Sequence, residues 1–366
     1  MEQPIMMGIG TAVPPHVLDQ RETAQRLKDN LSDYPDAARW AQRIFARSGV
    51  DRRYTCEPNL LEGGERSRYF PASFDRAGVP TTRERMDVYR RESVAIAERA
   101  ARLALDDARL RAGDVTHLIA VSCTGIYLPG LDAELTTRLE LSTDVNRIPL
   151  TFLGCAAGLT AIRMADRIVR HEPQAKVLVA TVELCTLHIQ PSFEKEELYS
   201  ASFFGDGASA CVVGMPDRRG EGVFEIRGAS SAIIPGTADM MGWTVGNHGF
   251  LLRLSSQIPR LIGQVVPPAF ERFWGGGSMP ELWAIHPGGK GIVDALQTAF
   301  RLEESQTETS RSVLRDYGNM SSATILFVLE RLRERERRSA SDARPGVALA
   351  FGPGMAAEML RFSYRP

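Results

Sequence analysis

A chain of 366 residues with 44 Lys and Arg against 45 Asp and Glu, 43% hydrophobic and 24% charged, has the make-up of a globular protein with a sizeable core, either two domains or one large duplicated fold. The net charge of -1 removes the electrostatic case for nucleic acid or an anionic membrane as partner. Cys56, Cys123, Cys155, Cys185 and Cys211 are odd in number, widely spaced and without a CxxC pair, which argues against a zinc site and a secreted disulfide framework and leaves at least one thiol free. Met-Glu-Gln-Pro at the start lacks the basic region of a signal peptide, and the most apolar stretch, Ile148 to Ile162, lies between Arg147 and Arg163 and is too short for a membrane span. The expectation is a cytoplasmic protein. Its cations are almost all arginine, scattered along the chain as codon bias would leave them.

In chain order, Glu92 to Leu110 keeps Val94, Ala97, Ala101, Leu105 and Ala108 on one helical face; Gly113 breaks it, and Val115 to Ser122 follows as a continuous apolar strand. Ile148 to Leu153 is strand-like. Leu159 to Val169 is a helical stripe stopped by His171-Glu172-Pro173, and Lys176 to Val182 and Gly207 to Gly214 read as further buried strands. Beyond a boundary placed near Pro216 to Gly222, the pattern predicts a helix over Ile258 to Phe273 despite Pro267-Pro268, a short strand over Leu282 to Ile285, and a helix over Lys290 to Phe300. A long helix follows over Met320 to Arg335, then a last strand over Val347 to Phe351. The run Arg331 to Arg338 reads as a solvated helix end. Buried strands in both halves favour a layered α/β fold, divided here into residues 1–218 and 219–366.

Three residues stand where such sheets gather reactive groups, at strand carboxyl ends and helix starts. Cys155, in Gly-Cys-Ala-Ala-Gly, sits at a strand-to-helix turn where the helix dipole favours thiolate; a small core residue is the alternative. His286 ends a strand before Pro287-Gly288-Gly289, and Asn319 lies in a Gly-containing turn before a helix. A nucleophilic thiol needs a proton acceptor, and a developing oxyanion or enolate needs donors, which His and Asn supply. Taken singly, each of these also reads as a structural or turn residue.

GCAAG around Cys155, HPGGKGIVD from His286, GNMSSATILFVL from Asn319 and AFGPGMAAEML from Ala350 resemble, in order and spacing, the type III polyketide synthases of the chalcone synthase-like family. The opening GIGTAVP, SCTGIYLPG from Ser122 and FFGDGASA from Phe203 extend the resemblance over nearly the whole chain. It implies a thiolase-like fold of two αβαβα halves in five layers, a homodimer, and a Cys-His-Asn site between the halves. Cys155 would take an acyl starter from coenzyme A, His286 would hold it as an imidazolium-thiolate pair, and His286 with Asn319 would stabilise the enolate left by decarboxylation of malonyl-CoA. No metal or cofactor is then needed beyond the coenzyme A thioesters that are substrates. Phe204 matches the family's gatekeeper aromatic; Arg47, Arg52 and Arg53 fall in a segment that helps hold coenzyme A phosphates in relatives. Gly352-Pro353-Gly354 would line the cavity by backbone.

The chain departs from the plant pattern at Cys123, His188, Leu252 and Ala350, where the plant enzymes carry Thr, Thr, Phe and Gly. Cys in SCTG and the stretch Glu183 to Pro191 resemble bacterial members. A less aromatic cavity then suggests an aliphatic acyl starter and an alkylpyrone or alkylresorcinol product; Cys123 and Gln190-Pro191 equally resemble enzymes that condense malonyl-CoA alone to tetrahydroxynaphthalene. A β-ketoacyl-ACP synthase III shares the Cys-His-Asn set but typically reads HQAN at its histidine and lacks the AFGPG-like ending. Of the other classes, a Cys-His-Asn hydrolase would need water at the acyl-enzyme, which a closed pocket beside Phe204 disfavours, and a catalytically silent member would not be expected to keep all three residues.

Overall fold

The computed structural model describes residues 2–70, 78–216 and 222–366. The expected boundary between halves falls largely on residues 217–221, outside the described residues. Thirteen strands form among the described residues: β1 (Ile5–Ala12), β2 (His16–Asp19), β3 (Arg52–Thr55), β4 (His117–Ser122), β5 (Asn146–Thr151), β6 (Lys176–Leu184), β7 (Asp206–Gly214), β8 (Val223–Ile233), β9 (Met241–Gly246), β10 (Gly249–Leu254), β11 (Leu282–Ile285), β12 (Arg344–Gly352) and β13 (Ala356–Arg365). Ten α-helices accompany them: α1 (Gln20–Asn30), α2 (Pro35–Arg47), α3 (Thr82–Asp107), α4 (Leu131–Arg138), α5 (Ala157–His171), α6 (Lys195–Phe203), α7 (Ile258–Trp274), α8 (Lys290–Phe300), α9 (Glu304–Tyr317) and α10 (Thr324–Ser339).

Nine strands make one sheet in the order β11-β12-β13-β8-β1-β7-β6-β4-β5, and the internal repeat is visible in its directions. In the first half β4 runs parallel to β6, β6 antiparallel to β7 and β7 antiparallel to β1; in the second, β11 is parallel to β12, β12 antiparallel to β13 and β13 antiparallel to β8. Among the described residues the sub-sheets pair at Ile5 with Glu225 and Met6 with Phe224, a narrow seam that the Ile226 N–H extends to Pro4 O at 2.8 Å. Their strands are continuous apolar runs because both faces are covered.

Three apolar clusters give the layers. One face of the first sub-sheet packs on α3 through Ala97, Ala100, Ala101 and Ala104, small residues that let the helix lie close. The middle layer is α5 and α10, whose Ile162, Ala165, Ile325 and Leu329 contact strands of both halves. The far face of the second sub-sheet is covered by α7 and α8 through Ile262, Val266, Phe270, Val293 and Leu296. This is the thiolase-like, five-layered α/β arrangement. An Arg163–Glu358 fork, with bonds of 2.9 and 3.0 Å, ties α5 to β13.

The helix over Arg331 to Arg338 departs from its expected solvation. Leu332, Arg333 and Glu336 are buried, Arg333 pairing with Asp107 and Glu330, and Glu336 with Arg344 at 2.6 Å, so one face of the charged run is an internal ion-pair seam. The strand expected over Ile148 to Leu153 is β5, and as an edge strand it is largely exposed. Helix α3 starts ten residues before its expected first residue, at a capping box of Thr81 with Glu84.

Candidate active site

Strand β5 leads through Phe152 and Leu153 into a tight turn at Gly154-Cys155-Ala156, and α5 follows at once. Gly154 has φ +59°, and a Cβ on it would lie 2.4 Å from Pro353 Cδ; a Cβ on Gly158 would lie 2.4 Å from the Ser322 carbonyl oxygen. Glycine at both positions is therefore a packing requirement of the turn that carries the thiol. No side chain caps the start of α5, so its free N–H groups and dipole act on the turn that holds Cys155.

Asn319 is presented by the turn between α9 and α10. Its Oδ1 accepts from Ser321 N at 2.8 Å, which fixes the carboxamide so that Nδ2 donates to the Gly288 carbonyl at 3.2 Å and stands 4.0 Å from Cys155 Sγ. His286 ends β11 with its N–H bonded to Leu349 O at 2.8 Å; its ring is buried and neither ring nitrogen has a partner among the described residues. Cys155, His286 and Asn319 all line one cavity of about 650 Å³. Burial pushes the Cys155 thiol up to about 11, with hydrogen bonding to Ser321 and Asn319 pulling the other way, and burial alone pushes the His286 imidazole down to about 3. Each shift is the cost of making one charge by itself. A proton passed from Cys155 to His286 would create both charges together, and their attraction offsets part of that cost.

Phe204, Cys123, His188, Leu252 and Pro353 line the same cavity. Cys123 is buried, its thiol donating to Glu183 and lying 3.4 Å from Ser321 Oγ. Gly352 and Gly354 do not form the wall. Gly352 is pressed against Leu153 O, 2.7 Å from where its Cβ would be, and Gly354 has φ +66° with open space where its Cβ would be, so of the three residues Pro353 is the one that reaches the cavity.

Arg53 cannot hold a phosphate of coenzyme A. Its side chain is fully buried and its Nη1 donates to the carbonyls of Ala201 and Phe204, at 2.7 and 2.8 Å. Arg47 and Arg52 are exposed, Arg52 lying 3.9 Å from Asp316.

The cavity also holds aromatic residues that the motifs did not name. Trp40, Tyr199, Trp243, Phe250 and Phe351 join Phe204 in its wall. His188, Phe250 and Trp243 form a continuous stack, with centroids 4.1 and 4.3 Å apart and planes within 10° and 7°. His188 is pinned between Thr124 O, 2.8 Å from Nε2, and Phe250 N, which donates to Nδ1 at 3.1 Å; burial pushes its imidazole down to about 4, the contact with Thr124 pulling the other way. Leu252 stands opposite Trp243 in the β9–β10 hairpin. The hairpin carries no catalytic motif, and its Gly-Trp-Thr-Val-Gly text is the only sequence signal for this wall. Cys185 lines the cavity as well.

The chalcone and stilbene synthase N-terminal domain matches residues 2–217 and the C-terminal domain residues 225–363. The chain belongs to this family of condensing enzymes, the type III polyketide synthases. Among similar proteins, type III polyketide synthase A of Arabidopsis thaliana is 32% identical, over 97% of this chain and 91% of its own length. The α-pyrone synthesis polyketide synthase-like Pks18 of Mycobacterium tuberculosis is 30% identical, over 98% and 90%. Of solved structures, the type III domain of Steely1 from Dictyostelium superposes with a TM-score of 0.88 at 27% identity over 100% of both chains. PKS-I of the brown alga Ectocarpus siliculosus gives 0.89 at 27% identity, over 100% of this chain and 99% of that one.

Proposed function

We propose that the protein loads an acyl group from coenzyme A onto Cys155, extends it by decarboxylative condensation with malonyl-CoA, and releases an alkylpyrone or alkylresorcinol-type product. The observation that supports this most is the single apolar-walled cavity shared by Cys155, His286, Asn319 and Phe204. Loss of CO2 from a malonyl thioester leaves an enolate. Asn319 Nδ2 and a ring N–H of His286 are the donors aimed into the cavity that would hold its oxygen, and the enolate carbon then attacks the acyl thioester on Cys155, returning the sulfur as thiolate. The chemistry asks for no metal or redox cofactor, since the thioesters carry the reactive carbon. Arg47 and Arg52 are the exposed cations of their segment available for coenzyme A phosphates. The relative named for α-pyrone synthesis supports a lactone product.

The starter reading rests on the apolar wall, and the flat Trp243–Phe250–His188 stack takes an alkyl chain as readily as a ring. A buried methylene contributes about 0.8 kcal/mol. In a ladder of saturated acyl-CoA starters, KM is therefore expected to fall about fourfold per methylene until the chain meets the stack. Product mass spectrometry with malonyl-CoA alone and then with the ladder checks the reading. A naphthalene product from malonyl-CoA alone would overturn the acyl starter, and full condensation activity in Cys155→Ala would overturn the nucleophile.

We also propose a homodimer and a reducing, cytoplasmic setting. All five cysteines are free. Ser122 and Thr151 are register partners, so the loops that follow β4 and β5 emerge side by side, and they carry exposed Ile126, Leu128, Phe152 and Leu153. Among the described residues no helix is long and apolar enough to cross a membrane.

A further inference from the structure

Helix α6 runs along the cavity and ends at Phe204, so its last carbonyls, which no helical N–H can reach, must be satisfied from elsewhere. Each has a donor from a different part of the chain. Ala201 O and Phe204 O accept from Arg53 Nη1, Ser202 O accepts from Gln20 Nε2 at 2.6 Å, and Phe203 O accepts from the backbone N–H of Asn319 at 2.7 Å. Gly205 N returns a bond to Asn319 O at 3.0 Å, which makes Phe204 and Asn319 neighbours in a short parallel bridge. The bridge is packed without slack: a Cβ on Gly205 would lie 2.5 Å from Tyr317 O, and Gly318, at φ +71°, has Phe203 O 2.4 Å and Arg53 Cγ 2.9 Å from where its Cβ would be.

We propose that Arg53 is a positioning residue that clamps the end of α6 onto the Asn319 turn, so that the gate aromatic and the enolate-stabilising carboxamide move as one body. A buried guanidinium is costly, and this one leaves Nε and Nη2 without partners among the described residues, so the two gate carbonyls are the hydrogen bonds it makes. A cation at a helix C-terminus also opposes the dipole there, which strengthens the clamp. A displacement of α6 that widened the tunnel would pull Phe203 O away from Asn319 N and tilt the carboxamide away from Cys155. The inference rests on the role given to Asn319 above.

The test compares Arg53→Met, which keeps the apolar stem and removes the donors, with Arg53→Lys, which keeps a cation that reaches the carbonyls. Malonyl-CoA decarboxylation is measured per mole of protein in the native peak of size exclusion, so that unfolded protein is not counted. Arg53→Met is expected to lower kcat at least about tenfold while KM changes less than about threefold, and Arg53→Lys to recover to within about threefold of the parent. Arg53→Met with the parent's kcat, or a loss that Arg53→Lys does not recover, overturns the clamp. Should Arg53→Met not fold, hydrogen exchange in the unsubstituted protein decides: the amides of Gly205 and Asn319 are expected to share one protection factor, and values more than about tenfold apart overturn it. An unsubstituted protein that releases no CO2 from malonyl-CoA would instead defeat the proposed function, and the exchange result would still stand or fall by itself.

Discussion

His286 has no solvent exposure, and neither ring nitrogen has a partner among the described residues, which leaves both nitrogens for what enters the cavity it lines with Cys155. Burial pushes the Cys155 thiol up, against hydrogen bonding to Ser321 and Asn319, so a thiolate at neutral pH calls for a proton acceptor in the cavity, the part proposed for His286. Alkylation of Cys155 by iodoacetamide is expected to be at least about tenfold slower at pH 7 in His286→Ala than in the parent, with the midpoint of the rate moving to higher pH. Mass-spectrometric labelling of that one peptide across pH checks it; an unchanged profile would remove His286 from thiol activation. The three catalytic candidates were legible in the sequence because each sits in a turn whose glycines leave a textual mark: Gly154 and Gly158 around Cys155, Gly288 after His286, Gly318 before Asn319. The cavity wall left no such mark. Trp243, Phe250 and Cys185 are ordinary in their local text; the first two become wall residues because the β9–β10 hairpin folds over the site, and Cys185 because the turn after β6 faces it. Arg53 was misread for the same reason, since an arginine written beside an exposed Arg52 gives no sign of which one turns inward.

Among elements, those that announce themselves by continuous apolar text were found: β4, β6 and β7 lie within a few residues of expectation, and β11 and α8 at their expected ends. Elements built on polar residues with internal partners were not. Helix α3 was expected only from Glu92 because its first turns read Thr-Arg-Glu-Arg-Met-Asp, yet Arg85 there is buried and bonds to the Ile189 carbonyl at 2.8 Å. Strand β13 hid behind Glu358, whose charge is met by Arg163. Strand β5 was legible as a strand but not as an edge, and the exposed apolar residues of the loops after β4 and β5 carry the dimer proposal. Leu128, 90% exposed, is the most prominent apolar residue of that face. Leu128→Asp is expected to shift the protein from dimer to monomer in light scattering behind size exclusion, with far-UV dichroism unchanged; a dimer that persists would place the interface elsewhere.

Across the molecule, the buried groups oppose each other in their response to acid. His188, held down to about 4 by burial, is neutral in the folded chain where an unfolded chain would protonate it near 6.5, so its contribution to stability is present above 6.5 and is lost as pH falls toward 4. Asp206, pushed up to about 6 by burial, has the opposite sign: its contribution is present below the ordinary carboxylate range and is lost as pH rises through 6. In urea titrations, the stability gap between the parent and His188→Gln is expected to narrow by about 2 kcal/mol from pH 6.5 to 4, the full value for that interval being reduced because the ring faces the cavity. A gap that does not change with pH would show that His188 titrates normally. At the same scale, β13 is the strand that joins β11 and β12 to the rest of the sheet, and it is synthesised after every strand it joins. Cys155 comes from the first half of the chain and His286 and Asn319 from the second, so the cavity they share exists only where the two halves close on each other. The site is thus a product of the closed sheet and belongs to no single stretch of sequence.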